Sequence, residues 1–329
     1  MNEGGTVMEN KNKFVAFLKS NIMLWILILL VIIFGILNKN FLTARNLLNI
    51  CTQNAYFIIA CIGVGTIMIA GGTDLSVGYL ISTVAVCMAV FMQWLSIPWP
   101  LAIVLGMVVG ILLGAFNGFA SNLLKIHPMI VTLATMTMFQ GISFTISQSK
   151  SFFNFDPAFM NIGQGYLGPI SYPIIIAVVV AVVMHFILER TCFGRFIYAA
   201  GGNPEAARLA GINVAKIKVL VFAIGGFLFA IAALLLTARG GSANSNTGSG
   251  VAFDAITACV LGGVSFIGGE GKVKGMVIGC LILGILSNGM QLAGLGIYLQ
   301  FIVKGIILMA SIGYDTYSKN AKVKKVAKA

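Results

Sequence analysis

The sequence predicts an all-α polytopic membrane protein with about ten transmembrane helices and both termini in the cytoplasm. Three observations carry that expectation. Of 329 residues, 59% are hydrophobic and only 9% are charged, against about 25% charged in a soluble domain. So few charges cannot cover a globule in water, and the solvent of this chain is lipid. Ten apolar runs can be drawn along the chain, most of them near the length that crosses a bilayer as a helix. The cations divide unevenly between the connecting segments, as the positive-inside rule requires.

The runs are Ile22 to Leu37, Gln53 to Ala70, Val77 to Trp94, Leu101 to Ala120, Met129 to Ser147, Pro173 to Leu188, Lys216 to Thr237, Ala255 to Ile267, Val273 to Gln291, and Ile297 to Gly313. In hydrocarbon every backbone N–H and C=O must be satisfied within its own segment, which makes each run a helix. The eighth is too short to span alone and is expected to be broken or re-entrant, with protein or water covering its free backbone groups. Residues 1–20 form a polar cytoplasmic segment carrying Lys11, Lys13 and Lys19. The first run has no small-residue cleavage site behind it, so it reads as a retained span rather than a signal peptide. Residues 21–314 are the transmembrane domain, with a cytoplasmic loop at 189–217, and residues 315–329 form a basic cytoplasmic tail.

With the N-terminus inside, sixteen cations fall on the inner side, and only Lys39, Arg45, Lys150 and Arg239 lie in outer loops. An even number of crossings follows. The net charge of +12 is then a matter of topology and anionic lipid, and no nucleic acid is expected as a partner. Trp94 and Trp99, beside Pro98 and Pro100, suit an interfacial belt at the outer face. The six cysteines sit singly with no C-x-x-C pair and read as small buried hydrophobes. Gly106, Gly110, Gly114 and Gly118 recur every four residues, a stripe suited to close helix packing. A Gly-Gly-x5-Gly pattern occurs at Gly71, Gly72, Gly78 and again at Gly268, Gly269, Gly275, a hint of internal repetition.

The inner loop from Glu189 to Lys218 is long, basic and contains a small helix of its own. Asn203 is a good N-cap, Pro204 suits the first helical position, and Glu205 faces the positive end of the dipole. Gly211 can close the turn in the left-handed conformation. These signals predict a two-turn helix from Pro204 to Ala210, too short and too polar to cross the bilayer. It lies at the cytoplasmic surface, as a plain connector or as a handle for a partner.

The run Glu205-Ala206-Ala207-Arg208-Leu209-Ala210-Gly211 resembles the first half of the E-A-A-x-x-x-G signature of membrane subunits in ATP-binding cassette (ABC) importers. The Ile-x-Leu-Pro that completes the general signature is missing, which points to one branch of these proteins. Gly71-Gly72-Thr73-Asp74-Leu75-Ser76-Val77-Gly78, Thr132-Leu133-Ala134-Thr135-Met136-Thr137, the segment from Phe193-Gly194-Arg195 to Gly211-Ile212-Asn213, and Val260-Leu261-Gly262-Gly263 with Gly268-Gly269-Glu270-Gly271 are similar to the ribose-type sugar permeases. The resemblance covers about Asn38 to Asp315. It implies that Asn203, Pro204, Glu205, Ala206, Ala207, Arg208, Leu209 and Gly211 dock into the ATPase. It also implies two ATP-binding subunits, an extracytoplasmic sugar-binding protein, and a second permease copy or a related permease, in the bacterial cytoplasmic (inner) membrane.

The chain itself has no Walker A loop, since Val273 follows Gly271-Lys272 and Phe266 stands where the leading glycine would be. No catalytic, cofactor or metal-binding residue is expected, and hydrolysis is assigned to a partner. His127 and His185 lack the companions a metal site needs. A path for a neutral sugar needs hydroxyl and amide partners beside apolar walls. Thr132, Thr135, Phe139 and Ser143 share one face of the fifth span at helical spacing, either lining the route or bonding to neighbouring backbone. Asn117, Asn288 and Gln291 are lesser candidates. Lys304, inside the last span, needs an oxygen partner, a helix-end carbonyl or Asp254. Asp74 could cap the third helix with Ser76 nearby. A secondary transporter driven by an ion gradient is the main rival. It usually places a carboxylate or histidine at midplane, whereas every carboxylate here falls at an expected helix end or in a loop.

Overall fold

The computed structural model describes residues 22–326. The segment expected at 1–20 and the last three residues of the tail lie outside the described residues. Among the described residues thirteen helices run in order: α1 (Ile22–Leu37), α2 (Ala44–Ile69), α3 (Val77–Gln93), α4 (Trp99–Leu124), α5 (Pro128–Ser147), α6 (Pro157–Gln164), α7 (Tyr172–Arg190), α8 (Cys192–Gly202), α9 (Pro204–Leu209), α10 (Val214–Gly240), α11 (Val251–Leu261), α12 (Val273–Leu292) and α13 (Ile297–Val326). Four two-residue strands form two small antiparallel pairs, β1 (Phe152–Phe153) with β4 (Ser242–Ala243) and β2 (Tyr166–Leu167) with β3 (Ile170–Ser171). Among the described residues α2, α4, α5, α7, α10, α12 and α13 are long and apolar enough to cross a membrane. The shorter apolar helices α1, α3 and α11 occupy the other three runs.

The core is organised around α10, which packs chiefly on α4 and α2. Glycine makes the first of these approaches possible. A Cβ on Gly110 would stand 2.6 Å from the Gly226 carbonyl oxygen, and one on Gly118 would stand 2.9 Å from the Val219 Cα. The stripe therefore packs backbone on backbone, with one exception. Gly106 faces the Met88 side chain of α3 rather than α10.

Several boundaries differ from the expected ones. Helix α2 begins at Ala44, nine residues before Gln53, because Thr43 caps it by accepting the Asn46 N–H at 3.3 Å. Arg45 thus belongs to a helix rather than a loop. Helix α13 continues through the basic tail to Val326, since no proline stands after Gly313 and alanine and lysine sustain a helix. The loop at 189–217 holds α8 as well as the short helix, which ends at Leu209 with Ala210 as its C-cap.

The eighth run differs most. Helix α11 spans Val251–Leu261 and not Ala255 to Ile267. Gly263, Gly268, Gly269 and Gly271 all have positive φ, at 83°, 110°, 74° and 147°, and they break the helix despite the apolar residues between them. On its other side the chain leaves α10, pairs as β4 with β1, and then runs inward without helical structure. The Ser245 hydroxyl meets that of Ser147 at 3.0 Å, and the Gly248 N–H donates to the Ser82 hydroxyl at 2.9 Å. Helix α11 is therefore a half-helix whose N-terminus starts inside the bundle, where irregular backbone is tolerated because protein covers it. The cysteines are free; Cys61, Cys87, Cys259 and Cys280 are buried as expected, whereas Cys51 is partly exposed and Cys192 exposed, and the sulfurs of Cys61 on α2 and Cys259 on α11 lie 3.3 Å apart.

Candidate functional site

Two features stand out, one at an end of the bundle and one inside it. At the end, Asn203 stops α8 and starts α9, its side-chain oxygen accepting the Ala206 N–H at 3.0 Å. Pro204 occupies the first turn, and Glu205 pairs with Arg208 at 3.1 Å. The turn closes through Gly211, at φ 82°, as the Ile212 N–H reaches back to the Ala207 carbonyl at 2.9 Å. Of α9 only Ala207 is buried, and Leu209 is 91% exposed. A rigid, capped turn thus presents an apolar tip to solvent.

The base of this turn is tied to the bundle through glycine backbone. A Cβ on Gly201 would overlap the Ile69 carbonyl oxygen and lie 2.9 Å from the Gly269 nitrogen. The Gly269 N–H donates to that same Ile69 oxygen at 2.9 Å. Gly268 lies against Gly71 and Gly201, and Gly269 against Gly202. The leading glycines of the two Gly-Gly-x5-Gly copies meet at one joint, gripping the Gly201–Gly202 pair that carries α9. The Tyr198 hydroxyl adds a bond to the Gly271 carbonyl at 2.8 Å.

Inside the bundle the expected polar residues separate into two groups. Thr132, Thr135, Phe139 and Ser143 do share a face of α5, and that face is buried, with Thr132 and Phe139 bonded to the segment 73–83. Thr132 Oγ1 accepts the Leu75 N–H and donates to the Thr73 carbonyl, each at 3.1 Å, and the Thr83 hydroxyl donates to the Phe139 carbonyl at 3.0 Å. Asn117 joins them by donating to the Ser76 hydroxyl at 2.8 Å. Asp74 accepts from the Ser76 N–H at 2.8 Å and from its hydroxyl at 2.6 Å, while Ser76 makes no side-chain capping bond to α3. These residues form a polar seam between α3, α4 and α5.

Burial pushes the Asp74 carboxyl up to about 6, against the opposing pull of the bonds from Ser76 and Asn117. Asp74 lies in the link between α2 and α3. A folded-state value above the unfolded one means that the native state holds the extra proton. The associated stability is complete below the unfolded value of 3.8 and is lost as pH rises through about 6. The purified protein is expected to lose thermal stability across that window, by at most about 3 kcal/mol. Asp74→Asn should flatten this dependence. Thermal melts at several pH values check it, and an unchanged slope in Asp74→Asn would place the titrating group elsewhere.

The second group lines a cavity system between α2, α11, α12 and α13. Lys304 pairs with Asp254 at 2.6 Å, so the carboxylate rather than a helix-end carbonyl is its partner. Sequence put Asp254, like every carboxylate, at an expected helix end or in a loop. It lies in the first turn of α11, beside Tyr56, which is twelve residues from Ala44 at one end of the 26-residue α2. That is about 18 Å along the helix. One cavity of 420 Å³ holds the pair with Tyr56, and an adjoining one of 230 Å³ adds Asn288 and Gln291. A third, of 710 Å³, opens at the α2 N-terminal end around Arg45, Asn46 and Asn49. Asn46 and Asn288 exchange two side-chain bonds, at 3.0 and 3.2 Å, where the second and third meet. Asn54, Tyr56, Ser287 and Gln300 also line this system and were missed from sequence. A signal for one of its walls was present, since Asn46, Asn49, Gln53 and Tyr56 recur at helical spacing on α2.

Comparison with known proteins places this architecture. The family described as branched-chain amino acid transport system / permease component matches residues 46–312. The chain is 38% identical over 303 residues to the ribose import permease protein of Haemophilus influenzae, covering 90% of this chain and 93% of that one. It is 33% identical over 325 residues to the galactose/methyl galactoside import permease protein of Escherichia coli, covering 93% and 97%. A xylose transport system permease protein of Escherichia coli is 34% identical over 340 aligned positions, covering 85% and 86%. No solved structure matches the chain. By a match across most of its length, and by relatives that it covers almost end to end, the chain belongs to this family of transport-system permease components.

Proposed function

We propose that this chain is the membrane-spanning permease subunit of an ATP-driven importer and forms the path for a monosaccharide, a ribose-like pentose or a hexose. The observation that carries the reading is the capped helix α9, seated on the glycine joint, in a chain similar over nearly all its length to ribose, galactose and xylose permeases. An extracytoplasmic binding protein delivers the sugar. One of two ATPase subunits docks on α9, and a second permease copy or a related permease completes the path. ATP binding closes the ATPases, α9 moves with them, and the glycine joint passes that motion to the segments that start α3 and α12. The membrane domain crosses the bacterial cytoplasmic membrane ten times, counting α1, α3 and the half-helix α11, with α9 and both termini inside.

The half-helix supports one competing reading. An intramembrane carboxylate such as Asp254 is what an ion-coupled carrier uses, although here it is already neutralised by Lys304. Uptake into proteoliposomes containing the chain, its ATPase and its binding protein separates the two. ATP-dependent import of D-ribose, D-galactose or D-xylose that survives an uncoupler is expected. Import that needs no ATP and collapses with the uncoupler would establish the carrier.

A further inference from the structure

A charged pair that is partly open at mid-depth needs an explanation. The side chains of Lys304 and Asp254 are 19% and 32% exposed, at the level of the middle of α2. Facing acyl chains, each charge would cost about 3 kcal/mol on insertion scales. The open part of the pair therefore faces water or protein, and the cavity in front of it has room for water.

The surroundings say what that water-filled space would hold. From the 710 Å³ opening, Asn46, Asn49, Gln53 and Tyr56 form a stripe along α2 that leads to the pair. The stripe covers eleven residues, about 15 Å of helix from first to last. Around the pair stand the amides of Asn54 and Gln300 and the hydroxyls of Tyr56 and Ser287, with the Phe57 and Phe301 rings beside them. The 420 Å³ cavity, which holds the pair, Tyr56 and both rings, falls within the range of about 300–1,000 Å³ of small-molecule sites, and Asn54, Ser287 and Gln300 face the pair from the adjoining 230 Å³ cavity. Amides and hydroxyls both donate and accept, and a closed ion pair offers an acceptor and a donor at fixed separation without net charge. That set matches the vicinal hydroxyls of an uncharged polyol, with an aromatic ring for its C–H face.

We propose that the Asp254–Lys304 crevice is a sugar-binding site within the permease itself, in which the pair and the amides of Asn54 and Gln300 read the hydroxyl pattern during passage. The site rests on the importer reading and deepens it. A sugar released by the binding protein would descend the α2 stripe and pause at the N-terminus of the half-helix. Selectivity then resides partly in the permease.

The test uses the full complex with its ATPase and binding protein in proteoliposomes, carrying Ser287→Cys in a Cys192→Ser background. A hydrophilic methanethiosulfonate reagent is expected to modify position 287, and saturating D-ribose, D-galactose or D-xylose, whichever is imported, should slow it about tenfold. Gln300→Leu and Asn54→Leu should each change the ratio of uptake rates among the three sugars. A complex that imports sugar while position 287 stays unreactive would overturn the crevice and leave the importer standing. Protection by L-leucine but by none of the sugars would also overturn it, in favour of a zwitterion site. If the exchanged pair Asp254→Lys with Lys304→Asp restores native rates and native ratios, the pair is a tether between α11 and α13 and the proposal fails. Failure to import any of the three sugars, with position 287 reactive, would instead count against the importer reading.

Discussion

Gly201→Ala is expected to destabilise the protein by about 3 kcal/mol or more and to abolish import, while Gly202→Ala, one residue away, should be close to neutral. The contrast follows from what each new methyl group would meet. At position 201 the Cβ runs into the Ile69 carbonyl oxygen, with the Ala70 carbonyl carbon and the Gly269 nitrogen each 2.9 Å away. All of these are backbone atoms, held by the Gly269 N–H to Ile69 bond, so no side chain can rotate out of the way. Overpacking a tight site typically costs about 1–3 kcal/mol even where side chains can give. At position 202 the nearest atom is the Gly269 Cα at 3.8 Å, an ordinary contact, and alanine also favours the helix by about 0.5–1 kcal/mol over glycine. Thermal melts of the detergent-purified variants, with membrane levels and ATP-dependent uptake, provide the measurement. Equal behaviour of the two variants would mean that the joint is loose and cannot pass on a movement of α9.

The joint also illustrates what could and could not be read in advance. Ten apolar runs were legible because burial in lipid demands long stretches with few charges, and each run holds a helix of the fold. The α9 cap was legible because Asn203, Pro204, Glu205 and Gly211 each answer a local backbone need. Contacts between distant segments were not. Nothing in the spacing of Gly71, Gly201 and Gly268 says that they touch, although the repeated Gly-Gly-x5-Gly pattern marked two of the three.

Amphipathic polarity misled in a consistent way. The first turns of α2 are rich in Asn, Thr, Gln and Arg, which reads as a loop in water but is a cavity wall in a membrane protein. Asp254 was left outside the eighth run, which was drawn from Ala255, whereas Gly248 and Gly250 let the chain enter the bundle as non-helical backbone and start α11 there. On α5 the period placed Thr132, Thr135, Phe139 and Ser143 on one face, but period alone does not tell whether that face looks at a path or at α3. Hydroxyls satisfied by neighbouring backbone, as Thr132 is, suit either place.

Leu209→Asp is expected to remove the ATPase from the purified complex without altering the amount of permease in the membrane. The side chain is 91% exposed on a surface helix otherwise built from proline, alanine and an ion pair, so it contributes almost nothing to the fold of this chain. Burying a leucine in a partner's groove contributes about 1.5–3 kcal/mol, and its loss in Leu209→Ala should weaken association by about tenfold or more. Leu209→Asp adds the cost of placing a carboxylate in the same groove, which takes binding beyond detection by co-purification. Glu205 and Arg208, 79% and 62% exposed, support α9 by only about 0.2–0.5 kcal/mol as a pair within the helix. A large fall in ATPase association on Arg208→Ala would therefore report docking and not unfolding. The assays are co-purification and sugar-stimulated ATP hydrolysis, with Leu209→Met as the conservative control. If Leu209→Asp retains a full complement of ATPase and its stimulation by sugar, force enters the permease elsewhere than α9. If it loses both while the thermal midpoint holds, the exposed tip of a six-residue helix is where the motor grips.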